Sequence, residues 1–166
     1  MSSFFFPSMN FQTLPKIEDF QRYLDVAIKA AKKRVERLEK PRLRDAEKKR
    51  RYMQYAEIER IKEVAAVVCT QLRQIHEKFP SLDSLPPFYN ALARVTIRYN
   101  ETKHGLGAIK WAEQQCKEVG KRYTEEIKRT RTREELQKKK KEFYGRISSV
   151  LRQIKSKFAI VDESRR

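Results

Sequence analysis

The sequence predicts an all-α protein, and three observations lead to this fold class. Apolar residues recur every three or four positions through most of the 166 residues, which is the spacing of one face of a helix. The chain is rich in Lys, Glu, Arg, Ala, Leu and Gln, which favour helices, and it contains only four glycines. No run rich in Val, Ile or Thr alternates strictly with polar residues, as a half-buried strand would. We therefore predict a four-helix bundle of long antiparallel helices, with a short extra helix after a proline-rich corner.

The chain divides into three predicted parts. Residues 1–13 carry four phenylalanines without a visible period and form an aromatic N-terminal arm. This arm either packs on the bundle, which is the favoured interpretation because aromatic burial dominates packing energies, or contacts a partner. Residues 14–160 form the helical bundle domain, and residues 161–166 form a polar tail that we expect to fray.

The first two helices are predicted to pair as an antiparallel hairpin. The first begins at Leu14 and carries an apolar stripe over residues 17–38, and Pro41 ends or restarts it. The second spans residues 42–79. Its first part, residues 42–51, is mostly charged and is expected to project or to order only on binding. Its apolar stripe is the most regular in the chain and comprises Tyr55, Ile58, Ile61, Ala65, Val68, Leu72, Ile75 and Phe79.

A proline-rich corner at residues 79–89 separates this hairpin from the rest of the bundle. Pro80 stops the second helix because it lacks an N–H group and disfavours helical geometry at the residue before it. Pro86 and Pro87 are tolerated only in the first turn of a new helix. We expect this helix to be capped by the side chains of Ser81, Asp83 and Ser84. We expect the corner to pack inward through Phe79, Leu82, Leu85 and Phe88.

Three more helical segments follow the corner. A short helix runs from Pro87 to about Asn100, and residues 100–102 are a possible turn. Gly105 and Gly107 near the start of the fourth helix indicate that another backbone comes close, because glycine otherwise weakens a helix. The three stripes are, in order, Phe88, Leu92, Val95 and Tyr99; Leu106, Ile109, Ala112, Cys116, Val119, Tyr123 and Ile127; and Leu136, Phe143, Ile147, Val150, Ile154 and Phe158.

The charge of the chain is strongly unbalanced and concentrated. The formal net charge is +17, and two segments carry an excess of fourteen positive charges: residues 29–51, with twelve Lys or Arg against four acids, and residues 128–141, with eight against two. Such a concentration favours a polyanion such as nucleic acid. A membrane surface is less favoured, because no apolar face accompanies the basic runs. The predicted RNA-binding residues are Lys32, Lys33, Arg34, Arg37, Lys40, Arg42, Arg44, Lys48, Lys49, Arg50, Arg51, Lys138, Lys139, Lys140 and Lys141.

Aromatic residues beside the basic runs could contact unpaired bases. Tyr52, Tyr55 and Tyr144 flank these runs and could stack on such bases, although core packing is an equal or better interpretation for Tyr55. Trp111 lies beside the fourth-helix stripe and is either a residue at the edge of the core or a partner contact.

The sequence contains no motif for catalysis, metal binding or nucleotide binding. The two histidines, His76 and His104, have no Cys or carboxylate at metal-ligand spacing. No G-x-x-x-x-G-K-[ST] phosphate loop and no nucleophile–base arrangement occur, so we predict no catalytic residue, no metal site and no cofactor. Cys69 and Cys116 lie in apolar stripes, which is typical of reduced thiols in a cytoplasmic protein.

Several motifs resemble those of a known family in the same order. Residues 79–83 read FPSLD, residues 87–89 read PFY, and Leu106-Gly107 follows within the fourth helix. Together with Asn10-Phe11, Leu14-Pro15, Tyr52-Met53 and Gly145-Arg146, this order resembles the N-terminal helical domain of the nucleolar GTP-binding protein 1 (Obg-related) family. The residues assigned to structural family motifs are Phe79, Pro80, Leu82, Asp83, Pro87, Phe88, Tyr89, Leu106, Gly107, Gly145 and Arg146.

The resemblance implies an rRNA-binding helical domain of a GTPase that assembles the large ribosomal subunit. In that family a G domain, which binds GTP and Mg²⁺, follows the helical domain. The motifs of a G domain are absent from this chain, so we predict no enzymatic activity for it, whether it is an excised domain or a stand-alone form. The expected partner is rRNA of the precursor large subunit, with ribosomal proteins or a G domain as further candidates, and no membrane. The expected location is the cytoplasm, on ribosomes, or the nucleolus in a eukaryote. The alternative is a protein–protein adaptor that docks a G domain or a ribosomal protein through the arm and Trp111, without direct RNA binding.

Overall fold

The computed structural model describes residues 14–40 and 44–166. These residues form six α-helices and no strand, which confirms the all-α prediction. The helices are α1 (Phe20–Glu36), α2 (Ala46–Lys78), α3 (Pro87–Thr96), α4 (Tyr99–Lys128), α5 (Arg133–Gln153) and α6 (Lys155–Arg165), and a 3-10 turn lies at Leu82–Ser84. The predictions for the aromatic arm, Asn10-Phe11, Pro41 and Arg42 lie outside the described residues. No helix in the described part of the chain has both the length and the apolar character needed to cross a membrane.

The long helices run up and down in sequence order. Arg34 near the end of α1 pairs with Glu59 in the first half of α2 at 2.9 Å, and Gln54 near the start of α2 reaches the carbonyl oxygen of Ile127 near the end of α4 at 2.7 Å. α5 then returns along α4, and α1 closes the ring through contacts with α5. The result is the predicted antiparallel four-helix arrangement.

Two helices, α5 and α6, together take the place of the fourth helix of the bundle, whereas the sequence predicts one last helix. α5 packs on α4 through Phe143 and Tyr123, whose ring centroids lie 6.0 Å apart. The helix is interrupted at Ile154, and α6 continues along α4 so that the hydroxyl groups of Ser164 and Thr102 are hydrogen-bonded. α5 and α6 therefore cover successive halves of α4.

The expectation of a frayed tail at residues 161–166 is wrong, because α6 extends to Arg165. Val161 is fully buried, and Asp162 is buried beside it. The N–H group of Ile17 donates a hydrogen bond to Asp162 Oδ1 (3.2 Å), and Arg165 Nε donates to the same oxygen (3.1 Å). Burial raises the pKa of Asp162, but these hydrogen bonds outweigh it and hold the pKa below its ordinary value. The tail is thus tied to the segment that leads into α1.

The predicted apolar stripes of the long helices form one continuous core. On α2 every predicted stripe residue is buried except Tyr55, which is 49% exposed; the stripe starts one turn later than predicted. Fully buried aliphatic side chains of this kind contribute about 1.5–3 kcal/mol each. The largest fully buried side chains of the described residues are Phe143, Ile61, Leu72, Ile109, Ile127, Ile147 and Leu151.

The corner joins α2 to α4 through a small second core, and its caps differ from the prediction. Leu82 packs with Ala93 and Tyr99. Asp83 does not cap α3: its carboxylate accepts a hydrogen bond from Tyr99 Oη (3.2 Å) and pairs with Lys103 Nζ (2.5 Å). α3 has no side-chain cap, since its N-cap position is a proline. The hydrogen bond from Lys103 is the main reason that the pKa of Asp83 is lowered.

The expectation that the corner packs inward holds for Phe79 and Leu82, which are buried, but is wrong for Phe88. Phe88, Leu92 and Val95 are exposed, whereas Ala93 is the one residue of α3 that is buried. α3 packs on the 3-10 turn and does not join the main core. The helix is amphipathic, but no other described element covers its apolar face.

Gly105 and Gly107, which lie close together in the sequence, have different surroundings. A Cβ on Gly105 would lie 2.8 Å from a methyl carbon of Val161, so α6 packs closely there, as expected. A Cβ on Gly107 or on Gly145 would have no neighbour within 4 Å. The prediction of a close backbone therefore applies to Gly105 and not to Gly107.

Candidate nucleic-acid interface

The order of the helices brings both basic segments to one end of the bundle. At this end α1 ends, α2 begins, α4 ends and α5 begins. Gln54 Nε2 donates hydrogen bonds to the carbonyl oxygens of Ile127 (2.7 Å) and Lys128 (3.0 Å), and Arg50 Nη1 donates to the carbonyl oxygen of Thr130 (3.3 Å). We call the described residues 32–40, 44–51 and 128–141 the basic end. The start of α2, which was expected to project, is therefore docked on the turn between α4 and α5.

That turn is held by a capping box at the start of α5. Thr132 Oγ1 accepts a hydrogen bond from the N–H group of Glu135 (3.2 Å), and the Glu135 carboxylate accepts from the N–H groups of Arg131 (2.8 Å) and Thr132 (3.4 Å). The hydrogen bond from Arg131 is the main reason that the pKa of Glu135 is lowered. The turn thus presents the exposed side chains of Arg129 and Arg133 from a fixed backbone.

Some predicted RNA-binding residues are instead tied to carboxylates. These are Arg34, Arg50, Arg51, Lys139 and Lys140. Three of their ion pairs join different helices, with N–O distances of 2.9 Å for Arg34–Glu59, 2.9 Å for Lys139–Glu126 and 3.1 Å for Lys140–Glu57. The pKa of Lys139 is raised, first by its hydrogen bond to Glu126. These side chains hold the helix ends together, although each exposed pair contributes only about 0–1 kcal/mol.

The two arginines at the start of α2 pair within their own helix. Arg50 Nη2 and Arg51 Nε lie 2.9 Å and 3.0 Å from Glu47 Oε1. The hydrogen bond from Arg50 is the largest of the effects that lower the pKa of Glu47 to about 2. Glu47 therefore stays charged and neutralises part of the local excess.

The remaining predicted cations are exposed and make no ion pair with another residue in the described part of the chain. They are Lys32, Lys33, Arg37, Lys40, Arg44, Lys48, Lys49, Lys138 and Lys141. Arg42 lies outside the described residues. Cations without acidic partners are the ones that a phosphate backbone can neutralise at the lowest cost, because no existing pair has to be broken.

Two shallow cavities show that cations from different helices are neighbours. One, of about 270 Å³, is lined by Lys49 from α2 and Arg133 from α5. The other, of about 500 Å³, is lined by Arg129 after α4 and Lys138 from α5. Lys49 and Arg133 therefore share one cavity and Arg129 and Lys138 share the other, which Glu126 and Glu135 also line.

Sequence reasoning missed a cationic groove that extends from this end between α2 and α4. The groove has a volume of about 670 Å³ and reaches Lys128. At the floor of the groove α4 comes close to α2, since a Cβ on Gly120 would lie 2.6 Å from the Cβ of Ala65. Lys117 and Lys121 stand exposed on the α4 wall without an ion pair to a described residue. Their i, i+4 spacing was the available signal, since it places both on one helix face.

The aromatic candidates differ in exposure. Tyr144 is half-buried against Phe143, with ring centroids 5.4 Å apart, and burial raises its pKa. Tyr52 is half-buried, whereas Tyr55 is 49% exposed and is the best placed of the three to stack on a base. Trp111 is 43% exposed on α4.

The clusters of titratable groups in the interior join helices. Glu113 on α4 accepts hydrogen bonds from His76 Nε2 and Arg73 Nη2, both at 2.6 Å. Burial raises the pKa of Glu113, but these two hydrogen bonds outweigh it and lower the pKa. Burial also raises the thiol pKa of Cys69 to about 11 and that of Cys116 to about 12. Within residues 14–40 and 44–166, no three His, Cys, Asp or Glu side chains are grouped to hold a metal ion.

Comparison with known proteins adds two findings. A family model described as the NOG1 N-terminal helical domain matches residues 11–166. "Uncharacterized protein MJ1408" of Methanocaldococcus jannaschii is 32% identical over 111 residues, which cover 67% of this chain and 32% of that protein. The match therefore spans about a third of the relative's length.

Proposed function

The chain belongs to the NOG1 N-terminal helical domain family, and we propose that it is an RNA-binding module of a GTPase that assembles the large ribosomal subunit. In this proposal the basic end holds the phosphate backbone of rRNA. The observation that carries the proposal is that exposed cations with no acidic partner among the described residues converge from α1, α2 and α5 on one end of the bundle. A surface of this kind binds polyanions and releases their counterions.

The two groups of cations have different roles in this mechanism. The ion pairs between helices, such as Arg34–Glu59 and Lys140–Glu57, fix the positions of the helix ends before RNA arrives. The unpaired lysines then contact phosphates, and Tyr55 lies where it can stack on an unpaired base. Phosphate contacts give affinity and position with little sequence readout. Specificity for rRNA then comes mainly from the shape of its backbone.

A salt titration tests this proposal. We expect the logarithm of the affinity for protein-free large-subunit rRNA to fall linearly with the logarithm of the salt concentration. Each phosphate contact should make the slope of this line steeper by about 0.7–0.9. The double variant Lys49→Glu/Lys138→Glu should bind more weakly at every salt concentration and show a shallower slope. A slope near zero for the unmodified chain would contradict the electrostatic mechanism.

The matched control is Lys78→Glu/Lys110→Glu. It makes the same change in net charge with two exposed lysines, one at the other end of the bundle and one along α4. If both double variants lose affinity equally, binding depends on net charge alone and the basic end is not the site.

The alternative is a protein adaptor without direct RNA binding, and the partly exposed Trp111 is the observation that favours it. An adaptor would bind its protein partner equally well with and without the substitutions at Lys49 and Lys138. We assign no nucleotide chemistry to these residues, since no G-x-x-x-x-G-K-[ST] sequence occurs in the chain. GTP and Mg²⁺ belong, in this proposal, to a G domain of the same assembly factor, and the site of action is the precursor of the large subunit.

A further inference from the structure

A groove between α4 and α5 has no role in the core or at the basic end. We call it the Trp111 groove, because Trp111, which is 43% exposed, stands on its α4 wall. Its volume of about 280 Å³ lies just below the roughly 300–1,000 Å³ of small-molecule sites. It is therefore large enough for one flat ring and too small for a helix. The polar side chains that line it are Gln115, Arg122, Arg146, Ser149 and Gln153.

The charge of the Trp111 groove suits an anion. Two arginines line it, and no Asp or Glu is among the described residues that do so. Arg122 is paired with Glu126 at 2.7 Å, whereas Arg146 is exposed and makes no ion pair with another described residue. Arg146 can thus bind a phosphate without breaking an existing pair.

The basic end lies within reach of the groove. Lys138 precedes Arg146 by eight residues on α5, which is about 12 Å along the helix axis. The carboxylate of Glu142 lies between them in the sequence but is already paired with Lys139 at 3.0 Å. A short stretch of one RNA strand that is held at the basic end can therefore extend to the Trp111 groove.

The polar groups of the groove match a nucleobase better than an apolar side chain. The side chains of Gln115, Ser149 and Gln153 make no hydrogen bond to another described residue. An amide carries both donors and an acceptor, which is the pattern that pairs with the edge of adenine. Unpaired bases of RNA stack on aromatic rings and are hydrogen-bonded at their edges. An apolar anchor of a protein partner would instead cover the amides without satisfying them.

Two glycines that packing does not explain flank the groove. A Cβ on Gly107 or on Gly145 would meet nothing within 4 Å, unlike one on either of the other two glycines. Gly107 lies one turn before Trp111 on α4, and Gly145 lies one turn before Ser149 on α5. Glycine weakens a helix but lets another molecule approach the backbone closely. Both walls are thus open to a ligand.

We propose that the Trp111 groove binds one unpaired nucleotide of RNA, whose base stacks on Trp111 and whose phosphate pairs with Arg146. This inference rests on the proposed function, because the strand that leads to this nucleotide is the one that the basic end holds. It adds a base contact to a surface that otherwise contacts phosphates, and base contacts are the ones that read sequence.

The fluorescence of Trp111 tests the stacking directly, because the chain contains one tryptophan. The full chain is titrated with single-stranded oligoadenylate of about ten nucleotides, with the same strand paired with oligouridylate, and with an abasic strand of equal length. The anisotropy of a dye on the RNA measures binding. We expect the single strand to quench Trp111 by at least half at saturation. The duplex and the abasic strand should bind through their phosphates and leave the fluorescence nearly unchanged.

Two pairs of variants separate stacking from charge. Trp111→Ala should bind oligoadenylate at least fivefold more weakly and the abasic strand equally well, whereas Trp111→Phe keeps a ring and should lose less than threefold. Arg146→Gln should weaken the binding of oligoadenylate more than Arg152→Gln does. The latter removes the same charge from an exposed position of α5 that does not line the groove.

The outcomes that contradict the inference are distinct. Equal quenching by the abasic strand would show that phosphate binding alone alters Trp111, and bound oligoadenylate without quenching would leave only the RNA-binding function standing. Quenching by AMP with the affinity of the strand would assign the groove to a free nucleotide. A fluorescence change with ribosomal proteins and with no RNA would make it a protein contact. Failure of every RNA to bind would refute the proposed function, and the nucleotide site with it.

Discussion

Replacing Gly120 by alanine tests the closest approach in the bundle. A Cβ at this position would lie 2.6 Å from the Cβ of Ala65 on α2, whereas carbon atoms in ordinary contact are about 3.5–4.0 Å apart. The Cβ of Ala65 is attached directly to the backbone of α2 and cannot rotate away. α2 and α4 would therefore have to separate by about 1 Å around fully buried neighbours such as Val68 and Cys116.

The expected magnitude is the balance of two effects. Alanine favours the helix over glycine by about 1 kcal/mol, and overpacking a tight core costs about 1–3 kcal/mol. Because the overlap is large and the neighbour is rigid, we expect the upper part of that range. Gly120→Ala should then lower the free energy of unfolding by about 1–2 kcal/mol. For a chain of this size that corresponds to a fall of roughly 2–8 °C in Tm.

The assay is chemical denaturation of two variants with the same substitution in the same helix. Gly107→Ala introduces a Cβ that meets nothing within 4 Å, so only the helix effect remains and stability should rise by about 1 kcal/mol. Adding Ala65→Gly to Gly120→Ala should remove the overlap, with a coupling energy of about 1–3 kcal/mol in the double-mutant cycle. Equal stabilisation by both alanine variants, or a coupling energy near zero, would refute the close contact.

Two further predictions concern a helix cap and an acid-sensitive contact. Thr132→Ala removes the capping box of α5 and should lower stability by about 1 kcal/mol in thermal unfolding. Thr132→Ser keeps the hydroxyl group and should stay within about 0.5 kcal/mol of the unmodified chain. Equal losses of stability in the two variants would show that the cap does not contribute. Glu113→Gln weakens the contacts with His76 and Arg73 and should cost about 2 kcal/mol at neutral pH. The pKa of Glu113 is lowered in the folded state, so its contribution to stability is complete above the unfolded pKa and is lost as pH falls below about 4.5. The unfolding curves of Glu113→Gln and of the unmodified chain should therefore converge in acid. A constant difference between them down to about pH 2 would contradict this linkage.

The helices and the inner face of each long helix could be read from the sequence because both depend on near neighbours in the chain. Residues three or four apart share a helix face whatever the rest of the molecule does, so the stripes of α2 and α4 identify the core almost residue by residue. The corner motif at residues 79–83 was also located correctly, since proline ends a helix by local sterics. The concentration of positive charge is likewise a property of the linear chain.

Other features depended on which element covers which, and only the tertiary structure decided them. Phe88, Leu92 and Val95 of α3 have the same periodicity as the buried stripes, yet they are exposed because no described helix packs over them. Lys139 and Lys140 belong to the same basic run as Lys138 and Lys141, but only the former pair lies against carboxylates of α4 and α2. A linear pattern determines a helix face and its charge, whereas burial and ion pairing are set by partners far away in the chain.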